Sequence, residues 1–258
     1  LTLQNALDYY SSGSAGRAVC LQDKGDGTIC KNVKMLSYQD TYYSNNNGGK
    51  YYWEDSEIHG TVDFLCGGGD VYYNRCKFVV EKRSADGKGG CTIAAPYTDG
   101  SKWGYVMNEC VVDNCAETFN YGRAWGGTPR LAYLNTTLLQ PDMIIKDRFT
   151  VGGMNVPADK FVEFNTKDAQ GNVVSPASNV LKFTKDNKVN EMETILTADQ
   201  AAEYALDKVF PTWTPDADCA QVGLGLLASE GNTITWAASE GAKAYAVFCD
   251  EQFVGMTS

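Results

Sequence analysis

Two aspartates one short segment apart carry the most distinctive chemistry of this 258-residue chain: Asp40 in Tyr38-Gln39-Asp40-Thr41, and Asp63 in Gly60-Thr61-Val62-Asp63-Phe64. A third element, Gly122-Arg123-Ala124-Trp125, follows later. Two carboxylates and one fixed cation suffice for ester hydrolysis without serine, histidine or metal. One carboxylate attacks the acyl carbon. The other gives a proton to the leaving alcohol and later takes one from water, while a guanidinium orients the attacker. His59 is the only histidine in the sequence, so few other side chains exchange protons near neutral pH.

The elements that must position these groups read as a solenoid. The first 140 residues hold short alternating segments in which Asn or Asp precedes small or apolar residues, with markers at Asn32, Asp55, Asn74, Asn108 and Asn135. The irregular step between them is about one coil of a parallel β-helix, with Asn or Asp in the tight turns. Asp40 and Asp63 are 23 positions apart, so a β-helix places them on adjacent coils facing the same way. Arg123 and Trp125, two apart, share a strand face. Residues 44–49 and 85–90 are Asn- and Gly-rich loops, Gly67-Gly68-Gly69 is a turn, and residues 146–195 form an irregular last wrap with hairpin-like pieces such as 168–172. Thr197-Ala198-Asp199-Gln200 is a capping box. It predicts one helix with Ala201, Ala202, Ala205, Leu206, Val209 and Phe210 as its apolar stripe, ended by Pro211 and lying against the solenoid or covering its end. From about residue 216 the pattern changes to sandwich-like strands at 232–236 and 243–249. These resemble the opening strands of a fibronectin type III or immunoglobulin-like module, too short for a whole one.

The three chemical segments resemble, in order and wording, the signature blocks of the pectin methylesterase family. Pro157, Phe161, Asn165 and Trp213 extend the match, which spans roughly residues 3–215. The resemblance implies an all-β fold, a right-handed parallel β-helix with a C-terminal helix and a partial sandwich-like tail. Residues 1–215 would be the β-helix domain, lacking the family's first coils, and 216–258 a linker with truncated sandwich strands. It implies hydrolysis of the methyl esters of polygalacturonate to pectate and methanol, without metal or cofactor. Asp63 takes the role of nucleophile, Asp40 that of general acid then base, and Gln39 that of oxyanion donor. Arg123 orients Asp63, while Tyr43, Trp125 and Val62 contact the sugar. The sequence departs from the family in three places. Arg17 stands where a second oxyanion donor is normally Gln, Cys66 replaces a cleft aromatic, and Ala124 replaces Pro. Arg17 can donate to an oxyanion, or it can pair with Asp40 and lower the pKa an acid needs.

Composition narrows the alternatives. With 43% hydrophobic and 21% charged residues, the chain is an ordinary globular protein with no apolar run long enough to span a membrane. A net charge of −10 argues against nucleic acid and favours the neutral, methylated polymer over pectate. The nine cysteines include no CxxC pair, which argues against zinc. Most read as small buried hydrophobes, with a few disulfides left open. The expected setting is a monomer acting outside the cell, in the periplasm or at the cell surface. Two other functions stay open: an esterase of the same fold on a different acyl ester, such as a thioester, and a β-helix that binds pectic glycans without turnover. A calcium-dependent lyase is disfavoured because no acidic cluster suits a many-oxygen calcium site.

Overall fold

The computed structural model describes residues 1–12, 16–151, 158–185, 187–218, 227–242, 244–250 and 252–257. Pro157, Cys219 and Lys243 lie outside them. Residues 1–215 form one compact unit and 216–258 another.

The first unit repeats three short strands per coil. After β1 (Thr2–Gln4) the coils run β2 (Leu21–Asp23), β3 (Thr28–Lys31), β4 (Lys34–Leu36); β5 (Tyr42–Ser44), β6 (Lys50–Glu54), β7 (Glu57–Gly60); and β8 (Val62–Gly67), β9 (Asp70–Asn74), β10 (Lys77–Val80). They continue as β11 (Gly90–Pro96), β12 (Tyr105–Asn108), β13 (Val111–Asn114); then β14 (Thr118–Gly122), β15 (Arg130–Leu134), β16 (Thr137–Leu138); then β17 (Lys160–Phe164) and β18 (Lys167–Asp168). Each strand pairs in parallel with its counterpart one coil away, giving sheets of five strands (β2 to β14), six (β3 to β17) and seven (β1 to β18). The result is a right-handed parallel β-helix.

Inward residues stack coil on coil. In the six-stranded sheet one file runs Tyr51, Val71, Tyr105, Leu131, Phe161 and the next Trp53, Tyr73, Met107, Tyr133, all essentially inaccessible to solvent. The Trp53 and Tyr73 rings stack at 6.3 Å and those of Tyr121 and Tyr133 at 3.9 Å. Aromatic files of this kind stabilise the coils through area removed from water and through offset ring contacts.

The turn after each strand of this sheet holds one residue in the left-handed region: Asn32, Asp55, Arg75, Glu109, Asn135 and Asn165, with φ between 49° and 57°. Asn and Asp tolerate that conformation, and three of the five sequence markers sit there. At Asn74 and Asn108 the left-handed position is the next residue. These asparagines form a polar ladder instead, Asn108 Nδ2 donating to Asn74 Oδ1 (3.0 Å) and Asn74 Nδ2 to the Tyr52 hydroxyl (3.1 Å).

The C-terminal segment of this unit differs from the single helix expected. An antiparallel hairpin, β19 (Val180–Lys185) and β20 (Lys188–Glu193), precedes two short helices, α1 (Ala198–Ala202) and α2 (Leu206–Val209). The Thr197 capping box forms as read. The helix then breaks because Ala205 is extended (φ −59°, ψ 148°), which lets Tyr204 turn inward against Trp103, 5.3 Å between centroids. Ala202 and Ala205 stay exposed, whereas Phe210 packs on Tyr72 (6.4 Å) and covers the outer face of the six-stranded sheet. In the second unit, β21 (Leu227–Glu230) pairs antiparallel with β22 (Thr233–Trp236), and β23 (Tyr245–Cys249) with β24 (Gln252–Thr257). All eight described cysteines are free thiols.

Candidate active site

The outer face of the five-stranded sheet carries a cleft of ≈ 470 Å³ lined by Arg17, Gln39, Asp40, Tyr43, Asp63, Cys66, Arg123 and Trp125, with Val19, Gln22 and Ala95 completing it. Strand register explains the convergence. Tyr42 pairs with Leu65, so the spacing that separates Asp40 from Asp63 is one coil. The Asp40 N–H donates to the Val62 carbonyl (3.1 Å).

Both aspartates adopt the left-handed conformation, φ 58° for Asp40 and 51° for Asp63. At Asp63 this makes a bulge. Val62 pairs with Thr92 and Leu65 with Ala94, so Asp63 and Phe64 together oppose one residue of β11. The bulge breaks the alternation of the strand. Phe64 and Leu65 both enter the core while Asp63 and Cys66 line the cleft. At Asp40 the turn is fixed from beneath by Thr41, whose buried hydroxyl donates to the His59 carbonyl (2.8 Å) and lies 3.1 Å from that of Tyr38. At the last residue of β8, Gly67 has φ +115°, and a Cβ there would lie 2.0 Å from the Ser44 carbonyl oxygen, so the end of the cleft wall needs glycine.

Arg123 grips Asp63 from the side. Its Nε contacts both carboxylate oxygens (3.0 and 3.1 Å) and its Nη2 donates to Oδ2 at 2.6 Å. Asp40 has a different environment. Burial, then the Asp63 charge, push its pKa up to about 6, against the opposing pull of Arg17, Arg123 and a hydrogen bond from Gln39. The Arg17 Nε lies 3.5 Å from Asp40 Oδ2, on a side chain that is 79% exposed. One carboxylate is thus held in an ion pair, and the other is tuned to keep a proton into the weakly acidic range. The Cys66 thiol, first by burial and then by the two aspartates, is pushed well above its ordinary pKa, so it stays protonated and is no candidate nucleophile.

A family model described as Pectinesterase matches residues 3–153, more than half of the chain. The chain belongs to the pectinesterase family. Pectinesterase A of Dickeya dadantii (strain 3937) is 30% identical over 213 residues, covering 77% of this chain and 57% of the relative. A pectinesterase of Sitophilus oryzae is 29% identical over 151 residues, 54% of this chain and 39% of the relative. The chain thus spans about half the length of the curated pectinesterases it matches. Among solved structures, a pectin methylesterase in complex with a hexasaccharide superimposes with a TM-score of 0.62 at 27% identity, over 83% of this chain and 69% of that one. Pectin methylesterase PemA from Erwinia chrysanthemi gives 0.61 at 25% identity over the same shares.

Seven of the eight residues singled out from the sequence of this family member line one cleft; Val62 does not. It is half-buried one place before the bulge, paired with Thr92, and contributes its carbonyl to Asp40. Sequence reading missed Gln22, which pairs with Tyr43, and Tyr97, whose ring meets Trp125 edge-on at 5.4 Å. Trp125 also lies 6.0 Å from Tyr43, so three rings form one shelf beside the carboxylates. Tyr97 follows the cleft residue Ala95 by two, and that period-2 spacing was the available signal. His59 stands outside the cleft on β7. Its Nδ1 contacts Glu81 (2.7 Å) and its Nε2 contacts Glu57 (2.6 Å).

Proposed function

We propose that this chain hydrolyses the methyl esters of polygalacturonate, releasing methanol, with Asp63 as nucleophile and Asp40 as acid and then base. The observation that carries this reading is the pairing of two unlike carboxylates at equivalent positions of successive coils, one clamped by Arg123 and the other with a pKa of about 6. In the first step an Asp63 oxygen bonds to the ester carbon, and the carbonyl electrons move to its oxygen. The Gln39 amide and the Arg17 guanidinium, which line the same cleft, donate to that oxyanion. When the tetrahedral species collapses, the C–OCH₃ bond breaks and Asp40 gives its proton to the departing methanol. Asp40, now a carboxylate, takes a proton from water. The resulting hydroxide attacks the same acyl carbon, and Asp63 leaves as carboxylate. The sugar carboxylic acid then forms, and the proton on Asp40 restores the starting state. No metal or cofactor enters this sequence. The Tyr43–Trp125–Tyr97 shelf offers apolar ring faces to the C–H faces of the sugars.

Recognition of the methylated polymer, a monomeric state and action outside the cell, where pectin lies, belong to the same proposal. The relative solved with a hexasaccharide supports the substrate class. No described helix is long and apolar enough to cross a membrane. A second reading, an esterase on a different acyl ester, is favoured by Cys66 and Ala95, small residues on the cleft wall between Tyr43 and Arg123. Methanol release from highly methylated pectin, run beside a panel of chromogenic acyl esters, separates the two. Asp40→Asn is expected to lower the rate by about 10²–10⁴-fold and Asp63→Asn to abolish turnover. Full methanol release by either variant would overturn the assigned roles.

A further inference from the structure

A second cavity, ≈ 320 Å³, opens at the corner between the five- and six-stranded sheets and is lined by Lys102, Trp103, Arg130, Lys160, Gln200, Glu203 and Tyr204. Three cations converge on it in a chain whose net charge is −10. Lys102 Nζ sits 4.5 Å from the Trp103 ring centroid and Lys160 Nζ 5.4 Å from that of Tyr204. Among the described residues, neither ammonium makes a salt bridge; the lining carboxylate Glu203 feels the Lys102 charge but is itself bonded to Lys208. Cation–π contacts hold an ammonium in place weakly, by about 0.5–1 kcal/mol at exposed sites. They leave its N–H donors available, so an arriving carboxylate displaces no existing partner.

The surrounding carboxylates are committed elsewhere. Asp159 accepts from Arg130 Nε (2.5 Å), Glu203 from Lys208 (2.6 Å), and the half-buried Asp70 from the backbone N–H groups of Trp103 (2.9 Å) and Gly104 (2.7 Å). Those last bonds clamp the turn that presents Trp103. Arg130 also donates through Nη1 to the Lys102 carbonyl, which ties the two cationic loops together. Gln200 uses its amide oxygen on the Thr197 N–H (2.9 Å), so what it has left to offer is a donor.

The cavity is joined to the cleft by its loops. Tyr97 and Trp125 of the aromatic shelf are each five positions before Lys102 and Arg130, at most about 18 Å along the chain. The hydroxyls of Thr98 and Thr128 donate to each other's carbonyls, both at 2.8 Å, so the two connections move as one. We propose that this cavity binds the free carboxylates of a de-esterified uronate segment, with Lys102 and Lys160 as the ligands and the Trp103–Tyr204 pair as the surface for the sugar ring. The site would hold the acidic stretch of a polymer whose methylated part occupies the cleft. The choice of uronate rests on the esterase reading. The anion-binding character does not.

The test is titration calorimetry with a short, fully de-esterified oligogalacturonate, on the wild type, Trp125→Ala and Lys102→Gln/Lys160→Gln. Both lysines are exposed, and circular dichroism checks the fold. Binding that survives in Trp125→Ala, weakens at least about tenfold in the double lysine variant and weakens again with added salt is the expected result. Affinity unchanged in the double variant, or binding lost entirely in Trp125→Ala, would overturn the proposal. So would competition by inorganic sulfate at equal affinity, which would mean a site for any anion. Methanol release is measured separately. If none is seen but the lysine-dependent binding is, the esterase reading falls and the site stands.

Discussion

Replacing Arg17 by alanine should move the pH at which acylation fails. Asp40 must carry a proton when substrate binds, so kcat/KM falls as pH rises through its pKa, about 6 in the folded protein. Arg17, its Nε 3.5 Å away, favours the carboxylate and holds that pKa lower than burial alone would set it. Two unit charges at this distance interact by about 1.2 kcal/mol in bulk water. Because Arg17 is 79% exposed, the relevant range is that of surface pairs, about 0.2–1 kcal/mol. Divided by 1.36 kcal/mol per pH unit, this gives an upward shift of roughly 0.1–0.7 unit. The assay is initial methanol release at substrate well below KM, between about pH 4 and 8 at low ionic strength. Position and height of the profile report different things. If Arg17 also donates to the oxyanion, the whole curve drops by about 10²–10³-fold, whereas the limb position reports only its effect on Asp40. A limb that moves downward in Arg17→Ala, or a wild type with no limb near 6, would refute the reasoning.

Asp40→Asn should stabilise the protein even as it removes activity. A carboxylate whose folded pKa is raised to about 6 is most stable protonated. Its ionisation therefore costs stability progressively from about pH 4 to 6, and constantly above. The full shift would amount to about 3 kcal/mol, discounted to roughly 1–2 for partial solvent exposure; a Tm higher than wild type at pH 7 and equal at pH 4 is the expected signature. Arg148 and Glu163 are 3% and 2% exposed and bonded at 3.2 Å. Glu163→Ala leaves the guanidinium buried without a counterion and should cost about 3–5 kcal/mol in urea unfolding, whereas Arg148→Met/Glu163→Leu should recover most of it. His59 responds to pH with the opposite sign. Burial opposes its charge, but the hydrogen bonds that the ring donates to Glu81 and Glu57 prevail and raise its pKa. Its contribution is full below the unfolded value of about 6.5 and fades as pH rises through the higher folded one. His59→Gln should therefore narrow the difference in Tm between pH 6 and 8.

The solenoid was legible because its signals are local and repeated. Asn32, Asp55 and Asn135 mark the turns themselves and Asn74 and Asn108 the strand ends just before them, and the spacing of Asp40 and Asp63 already equals one coil of register. The coincidence of Gln39, Asp40, Asp63 and Arg123 in one cleft follows from that register. What escaped depends on contacts between segments distant in sequence. The capping box at Thr197 predicts a helix start, but nothing in its periodicity says that Tyr204 will be drawn to Trp103 and break it. Val62 was placed by resemblance alone, and the bulge at Asp63 turns it out of the cavity wall. The lysine-lined cavity gathers residues from four separate stretches between 102 and 204, with no local motif to announce it.

The register has a practical side in the unequal lengths of the coils. Tyr42 and Leu65 are 23 apart, whereas Val62 and Thr92 are 30 apart, because residues 81–89 bow outward between β10 and β11. Asp40 and Asp63 both lie upstream of that detour, and β11 still returns to pair with β8. Polypeptide can therefore be lengthened or exchanged at 84–88 without altering how the two carboxylates face each other. The molecule offers a graft point: binding loops can be varied there while the reacting groups keep their spacing.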